Sequence, residues 1–310
     1  VGIGVLFPGQ GAQFPGMGRE LHEAYPCARE VFEEVSDALG FDVARLCFEG
    51  SDLDLRRTEN TQPAIFAVSV AAYRVLEQET GLRPVCAAGH SLGEFSALTA
   101  AGVLRPAEAA AVLRLRGRFM QEAVPEGRGA MAAVIGLGRE EVERACREAS
   151  RLGVVEPANY NGGGQIVISG TAAAVEAAVA AVRAAGAARV VPLAVSAPFH
   201  CALMAPAAER LAPHLAALAT GPFRFPVVAN ATGEPYPSPA SVAELLRRQI
   251  TAPVRWEECV GAMRALGADA FVEAGPGRVL AGLLRRMDRG ARIASFGGPA
   301  DLEAARALAG

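Results

Sequence analysis

Gly89-His90-Ser91-Leu92-Gly93 carries the residue types and spacing of a nucleophile elbow, G-x-S-x-G. The flanks suit one. Val85–Ala88 reads as a short buried strand, and Glu94–Ala101 as the start of a helix. A serine at a tight strand-to-helix turn has its hydroxyl pushed outward. The two glycines let the backbone turn without a Cβ clash. The helix N-terminus then points free N–H groups at any oxyanion formed there. A glycine-rich turn whose serine merely caps the helix would match the same five residues, but the strand before and the helix after favour a nucleophilic Ser91.

Such a serine needs a base, and histidine is scarce: His22, His90, His200 and His214. His22 and His214 fall in amphipathic helical stretches and read as solvated or half-buried. His90 precedes the serine, and neighbours on such a turn point different ways, so a structural or substrate-side role suits it better. His200 sits in Ser196-Ala197-Pro198-Phe199-His200-Cys201, a loop between a strand and a helix, where sites are commonly built. It is either the base or a satisfied structural histidine. An ordinary imidazole in the role of base would lose activity as the pH drops through about 6.5.

Gln10 lies in the glycine-rich loop after the first strand, which in a parallel sheet falls at the same edge as the elbow. Its backbone N–H can complete an oxyanion hole with that of Leu92; a plain tight turn is the alternative. Arg114, Arg116 and Arg118 alternate along one helical stretch and cannot all face one side. Either one points into the site, implying a carboxylate substrate, or all three are surface charges.

Strands alternating with helices must position these groups. A strand at Gly4–Phe7 is followed by helices at Cys27–Leu39 and at Pro63–Glu79, the latter with Pro63 in its first turn. The elbow comes next, and then a helix over 106–122. The stretch 126–195 has its own βαββαβ order: strand Ala130–Ile135, helix Glu140–Arg151, and strands Val154–Ala158 and Gln165–Ser169 around the turn Asn161-Gly162-Gly163-Gly164. Thr171 then caps a helix to Ala185, and Arg189–Ala194 is a last strand. That is a ferredoxin-like arrangement. Beyond it come a helix near Ala205–Leu218, a strand at Val227–Asn230, helices at Val242–Gln249 and Val254–Leu266, the strand Ala270–Glu273 and a helix to Met287. The fold class is therefore α/β. A large domain with a mostly parallel sheet, residues 1–125 and 196–310, carries an inserted ferredoxin-like subdomain at 126–195.

Composition excludes several chemistries. The 310 residues are 51% hydrophobic and 20% charged, as in ordinary globular chains, and the net charge of −3 provides no basic field for nucleic acid. No apolar run is long enough to span a membrane, and Val1–Phe7 reads as a strand rather than a secretory signal. Six scattered cysteines form no C-x-x-C pair or zinc-ligand spacing and suit buried thiols in a cytoplasmic protein. All 30 basic residues are arginine. That rules out a Walker-A lysine and a Schiff-base lysine.

The chain resembles the malonyl-CoA:acyl carrier protein transacylases and the acyltransferase domains of polyketide synthases. The resemblance is carried by Phe7–Gln13, Thr61-Gln62-Pro63, Gly89–Glu94, Arg116-Gly117-Arg118-Phe119-Met120-Gln121, Asn159-Tyr160-Asn161, Pro198–Cys201, and Arg248-Gln249 before Pro253–Trp256. It implies an α/β-hydrolase-like large domain and a Ser91–His200 dyad without a carboxylate third member. The imidazole would be oriented by the backbone carbonyl of Gln249. The N–H groups of Gln10 and Leu92 would form the oxyanion hole, and Arg116 would hold the malonyl carboxylate. His90, Phe199, Met120 and Asn161 would contribute to substrate binding, with Phe199 favouring malonyl over branched units. The partners implied are malonyl-CoA and an acyl carrier protein. CoA and phosphopantetheine thioesters would be substrates, with no metal or other cofactor. A cytoplasmic monomer of fatty-acid synthesis fits best, with a discrete polyketide-synthase acyltransferase and a serine esterase or thioesterase as alternatives.

Overall fold

The computed structural model describes residues 1–195 and 197–309, so Ser196 and Gly310 lie outside the described residues. Nine strands form two sheets among these residues. They are β1 (Ile3–Phe7), β2 (Cys86–Gly89), β3 (Gly129–Ile135), β4 (Val155–Gly162), β5 (Gln165–Thr171), β6 (Arg189–Pro192), β7 (Val227–Val228), β8 (Ala270–Ala274) and β9 (Arg292–Phe296). The first sheet has the order β7-β2-β1-β8-β9, and all its pairs are parallel. Every residue of β1, β2 and β8 is buried, as expected where helices cover both faces. The second sheet, β4-β5-β3-β6, is antiparallel, and two helices, Arg139–Ala149 and Ala172–Ala184, close its own apolar core.

The helix Thr58–Thr80 is apolar almost all round, with Ile65, Phe66, Val68, Val75 and Leu76 fully buried. Such a helix belongs inside a domain, and truncating Phe66 to alanine there would cost about 3–5 kcal/mol. It begins five residues before Pro63, which the sequence places in the first turn. An interior proline forfeits one helical hydrogen bond. Here tertiary packing prevails: Thr58, Thr61 and Gln62 are buried, and the Thr61 hydroxyl donates to the Arg57 carbonyl at 3.0 Å.

Other expectations shift for local reasons. β4 runs on to Gly162, so Asn161 is in the strand. Only Gly163 and Gly164 make the turn, both at positive φ as a two-residue hairpin requires. The helix expected from Val254 begins at Trp256, because Val254 pairs with β4 instead: its N–H donates to the Ala158 carbonyl at 2.8 Å, and its carbonyl accepts from Tyr160 N–H at 2.9 Å. This pairing ties β4 to the segment that leads into the helix Trp256–Ala265. β7 is two residues long, which leaves Ala229 and Asn230 free of strand pairing. The short helices Arg19–Ala24, Val43–Glu49 and Asp52–Arg56, the helix Leu302–Ala309, and β9 were not apparent in the sequence. Fewer than two helical turns leave little periodicity to read.

Candidate active site

β1 and β2 end side by side, so their following loops share one edge of the sheet. The elbow after β2 is wound tightly. A Cβ on Gly89 would lie 1.8 Å from the Gly93 carbonyl oxygen, and one on Gly93 would lie 2.3 Å from that of Phe7. Only glycine fits at either place. Ser91 itself has φ 53°, in the left-handed region that a side chain rarely adopts. The helix Gly93–Ala100 follows at once.

Ser91 Oγ lies 2.8 Å from His200 Nε2. On the far side of the ring, His200 Nδ1 donates to the backbone carbonyl of Gln249 at 2.9 Å, which fixes the tautomer with Nε2 free to accept. Burial, reinforced by the Arg116 cation, pushes His200 down to about 3. The imidazole is thus neutral across the physiological range. The ring therefore departs from the ordinary imidazole of the sequence-based expectation, because the site disfavours the imidazolium.

Arg116 is the one arginine of its trio that turns inward. It is 1% exposed, and its Nη2 donates to Ser91 Oγ at 3.2 Å and to Gln249 Oε1 at 2.8 Å. Its Nη1 donates to Gln62 Oε1 at 2.8 Å. Arg114 stacks over Phe41 and bonds Asn60, while Arg118 is exposed towards Glu122. Two glutamine carbonyls thus hold the guanidinium in one plane beside the serine.

A cleft of about 270 Å³ opens at Ser91 and His200, lined also by Gln10, His90, Met131 and Phe199 among others. Phe199 is 8% exposed and walls one side. Among the described residues, the N–H groups of Gln10 and Leu92 have no protein acceptor. His90 is aimed away from Ser91: its Nε2 meets Asn161 Oδ1 at 2.9 Å, and its ring lies against Trp256. Burial pushes its pKa down. Asn161 thus reaches the cleft only through His90. Met120 is buried, and its sulfur accepts from Gln62 Nε2 at 3.8 Å, so it backs the residue that holds Arg116.

Three further residues belong to the site, although the sequence assigns them no role in it. Glu94, fully buried, accepts from Gln249 Nε2 at 2.6 Å, from Asn230 N–H at 3.0 Å, and from the Tyr236 hydroxyl. Burial raises its carboxyl to about 7, against the pull of these bonds and of Arg116. Gln62 anchors Arg116. Asn230 Oδ1 accepts from Ser91 N–H. An acid in the apolar segment Gly93–Ala100 was a usable signal. Asn230 closes the strand expected at Val227–Asn230, and nothing in that segment marks it for such a role.

His22 is half-buried against Phe32 and Phe48, and His214 is exposed. All six cysteines are free, and five are buried. Among the described residues, no cluster of three or more His, Cys, Asp or Glu could hold a metal, and no helix is long and apolar enough to cross a membrane.

The acyl transferase domain family matches residues 5–295. A malonyl CoA-acyl carrier protein transacylase of Escherichia coli is 48% identical over 282 residues, 91% of each chain. One from Bacillus subtilis is 44% identical over 306 residues, 98% of this chain and 96% of that one. An acyl-carrier-protein S-malonyltransferase structure from Bartonella henselae shares 45% identity and superposes with a TM-score of 0.96 over 100% of both chains. A malonyl-transacylase solved with its type II polyketide-synthase acyl-carrier protein shares 45% identity and gives the same TM-score over 99% of both. The chain belongs to the acyl transferase domain family and, within it, to the malonyl-CoA–acyl carrier protein transacylases.

Proposed function

We propose that this enzyme moves a malonyl group from malonyl-CoA to the phosphopantetheine thiol of an acyl carrier protein through a malonyl ester of Ser91. The observation that carries the reading is the guanidinium of Arg116 held 3.2 Å from the same Ser91 oxygen that lies 2.8 Å from His200 Nε2. A buried cation beside the nucleophile serves an acyl group that bears a carboxylate. It is out of place in an esterase for neutral acyl chains. No carboxylate stands behind His200 either; Gln249 supplies a carbonyl.

In this reading the malonyl carboxylate pairs with Arg116. That pairing offsets the positive field on His200 and strengthens the base when substrate is present. Ser91 Oγ attacks the thioester carbon as its proton passes to His200 Nε2. The oxyanion meets the N–H groups of Gln10 and Leu92. The C–S bond breaks, and the sulfur of CoA leaves with the proton from His200. The carrier thiol then gives its proton to His200 and attacks the malonyl ester, and the returned proton restores the Ser91 hydroxyl. The sequence of steps uses no metal and no redox cofactor. Phe199 crowds the acyl α-carbon, and His90, fixed by Asn161, borders the acyl group.

We read residues 126–195 as a subdomain inserted in the large domain, since the chain leaves the parallel sheet after β2 and rejoins it at β7. We place the reaction in fatty-acid synthesis, with a polyketide carrier as the second reading; the neighbour solved with such a carrier favours keeping it. The test is partition. With malonyl-CoA and a phosphopantetheinylated carrier present, malonyl-carrier should form much faster than free malonate. Predominant hydrolysis would instead mark a thioesterase.

A further inference from the structure

Ser91 occupies a backbone conformation that persists only when its surroundings over-determine it. The helix that follows does not do so, because the Ser91 N–H lies outside the helical bonding pattern. Asn230 supplies the missing hold. Its Oδ1 accepts from Ser91 N–H at 2.8 Å, and its Nδ2 donates to the Gly89 carbonyl at 2.8 Å. These two backbone groups flank His90, one an acceptor and one a donor. A side-chain amide offers the complementary donor and acceptor in a single plane.

Asn230 is itself immobile. The parallel register Ala88↔Val228 sets it abreast of the elbow. Its N–H donates to Glu94 Oε2 at 3.0 Å, its carbonyl accepts from Arg255 N–H at 3.1 Å, and it is fully buried. Gln249 Nε2 approaches the same Oδ1 at 3.3 Å, while the Gln249 carbonyl holds His200. Nucleophile and base are therefore anchored by neighbouring members of one buried polar network.

We propose that Asn230 is a positioning residue: its amide clamps both sides of the elbow, aims the Ser91 hydroxyl at His200, and keeps the Ser91 N–H out of the oxyanion site. The inference rests on Ser91 being the nucleophile. Asn230→Asp keeps the volume but sets an acceptor against the Gly89 carbonyl. Asn230→Ala removes both bonds. In either variant a nucleophile displaced by about an ångström should lower kcat of acylation on the order of 10²-fold. KM for malonyl-CoA should stay near the wild-type value, because Asn230 makes no bond to Arg116 itself.

The decisive comparison adds a small neutral fluorophosphonate, which reports the aim of the serine without using Arg116. Its rate of Ser91 labelling should fall in parallel with kcat in variants whose near-ultraviolet circular dichroism is native. Wild-type labelling rates in both folded variants, or a loss confined to KM, would overturn the inference while leaving Ser91 as the nucleophile. A wild-type protein labelled elsewhere than Ser91 would overturn both. Should neither variant fold, amide exchange in the wild type decides: the Ser91 N–H should exchange far more slowly than that of Leu92, and equally fast exchange would refute the clamp.

Discussion

Arg116→Ala should abolish the preference for a carboxylated acyl group rather than simply weaken the enzyme. The variant deprives Gln62 Oε1 and Gln249 Oε1 of their donor and leaves the buried Glu94 without a nearby cation. Those penalties fall on every acyl donor alike. The penalty specific to malonyl-CoA is a carboxylate taken from water to a place beside Ser91 with no partner. Removing one member of a buried ion pair costs about 3–5 kcal/mol. At about 1.36 kcal/mol per decade, this corresponds to a loss of roughly 150- to 5,000-fold in kcat/KM for malonyl-CoA relative to acetyl-CoA. Arg116 is 1% exposed, so solvent screening gives little relief. Single-turnover acylation with the two thioesters, on wild type and variant, measures the ratio directly. Arg116→Lys should lose part of the preference too, since an ammonium cannot reach Gln62, Gln249 and a carboxylate in one plane. If malonyl-CoA and acetyl-CoA suffer equal losses, Arg116 is a structural cation and the assignment of a carboxylate substrate fails.

His200→Ala should slow acylation by about 10²–10⁴-fold, and an unimpaired variant would remove His200 from the chemistry. Because burial and Arg116 hold His200 of the free enzyme down at about 3, kcat/KM for acylation should show no inflection from this group near pH 6.5. An inflection near pH 7 would belong to Glu94, whose carboxyl stands at about 7, and Glu94→Gln should erase it; persistence in that variant would contradict the depressed His200. Phe199→Ser should open the wall beside the acyl α-carbon and narrow the discrimination against methylmalonyl-CoA, which one methyl group sets at roughly 10–200-fold. Competition between the two thioesters checks this, and an unchanged ratio would make Phe199 a packing residue only.

The legible parts of this molecule were those with short-range signals. The elbow announces itself because Gly89 and Gly93 are demanded by contacts under 2.5 Å, which no other residue survives. The βαββαβ order of the second sheet follows from periodicity and turn glycines alone. The pairing of Ser91 with His200 and of His200 with the Gln249 carbonyl came through family resemblance, since nothing local links positions 109 and 49 residues apart. Arg116 could not be told from Arg114 or Arg118 by spacing; Gln62 and Gln249, both distant in sequence, decide which one turns inward. Asn230 and Glu94 act through long-range bonds, and an Asn at the end of an expected strand carries no mark of that. The Pro63 helix start and the strand position of Asn161 were missed for one reason: packing between distant segments outweighed local preference.

The central claim is that malonyl becomes covalently attached to Ser91. Intact-protein mass after mixing with malonyl-CoA, followed by peptide mapping, tests it most directly. Wild type should gain one malonyl group on the peptide containing Ser91 and lose it on addition of the phosphopantetheinylated carrier. Ser91→Ala, natively folded, should gain none. A malonyl adduct on Ser91→Ala, or a wild-type adduct mapped to any other residue, would contradict the account.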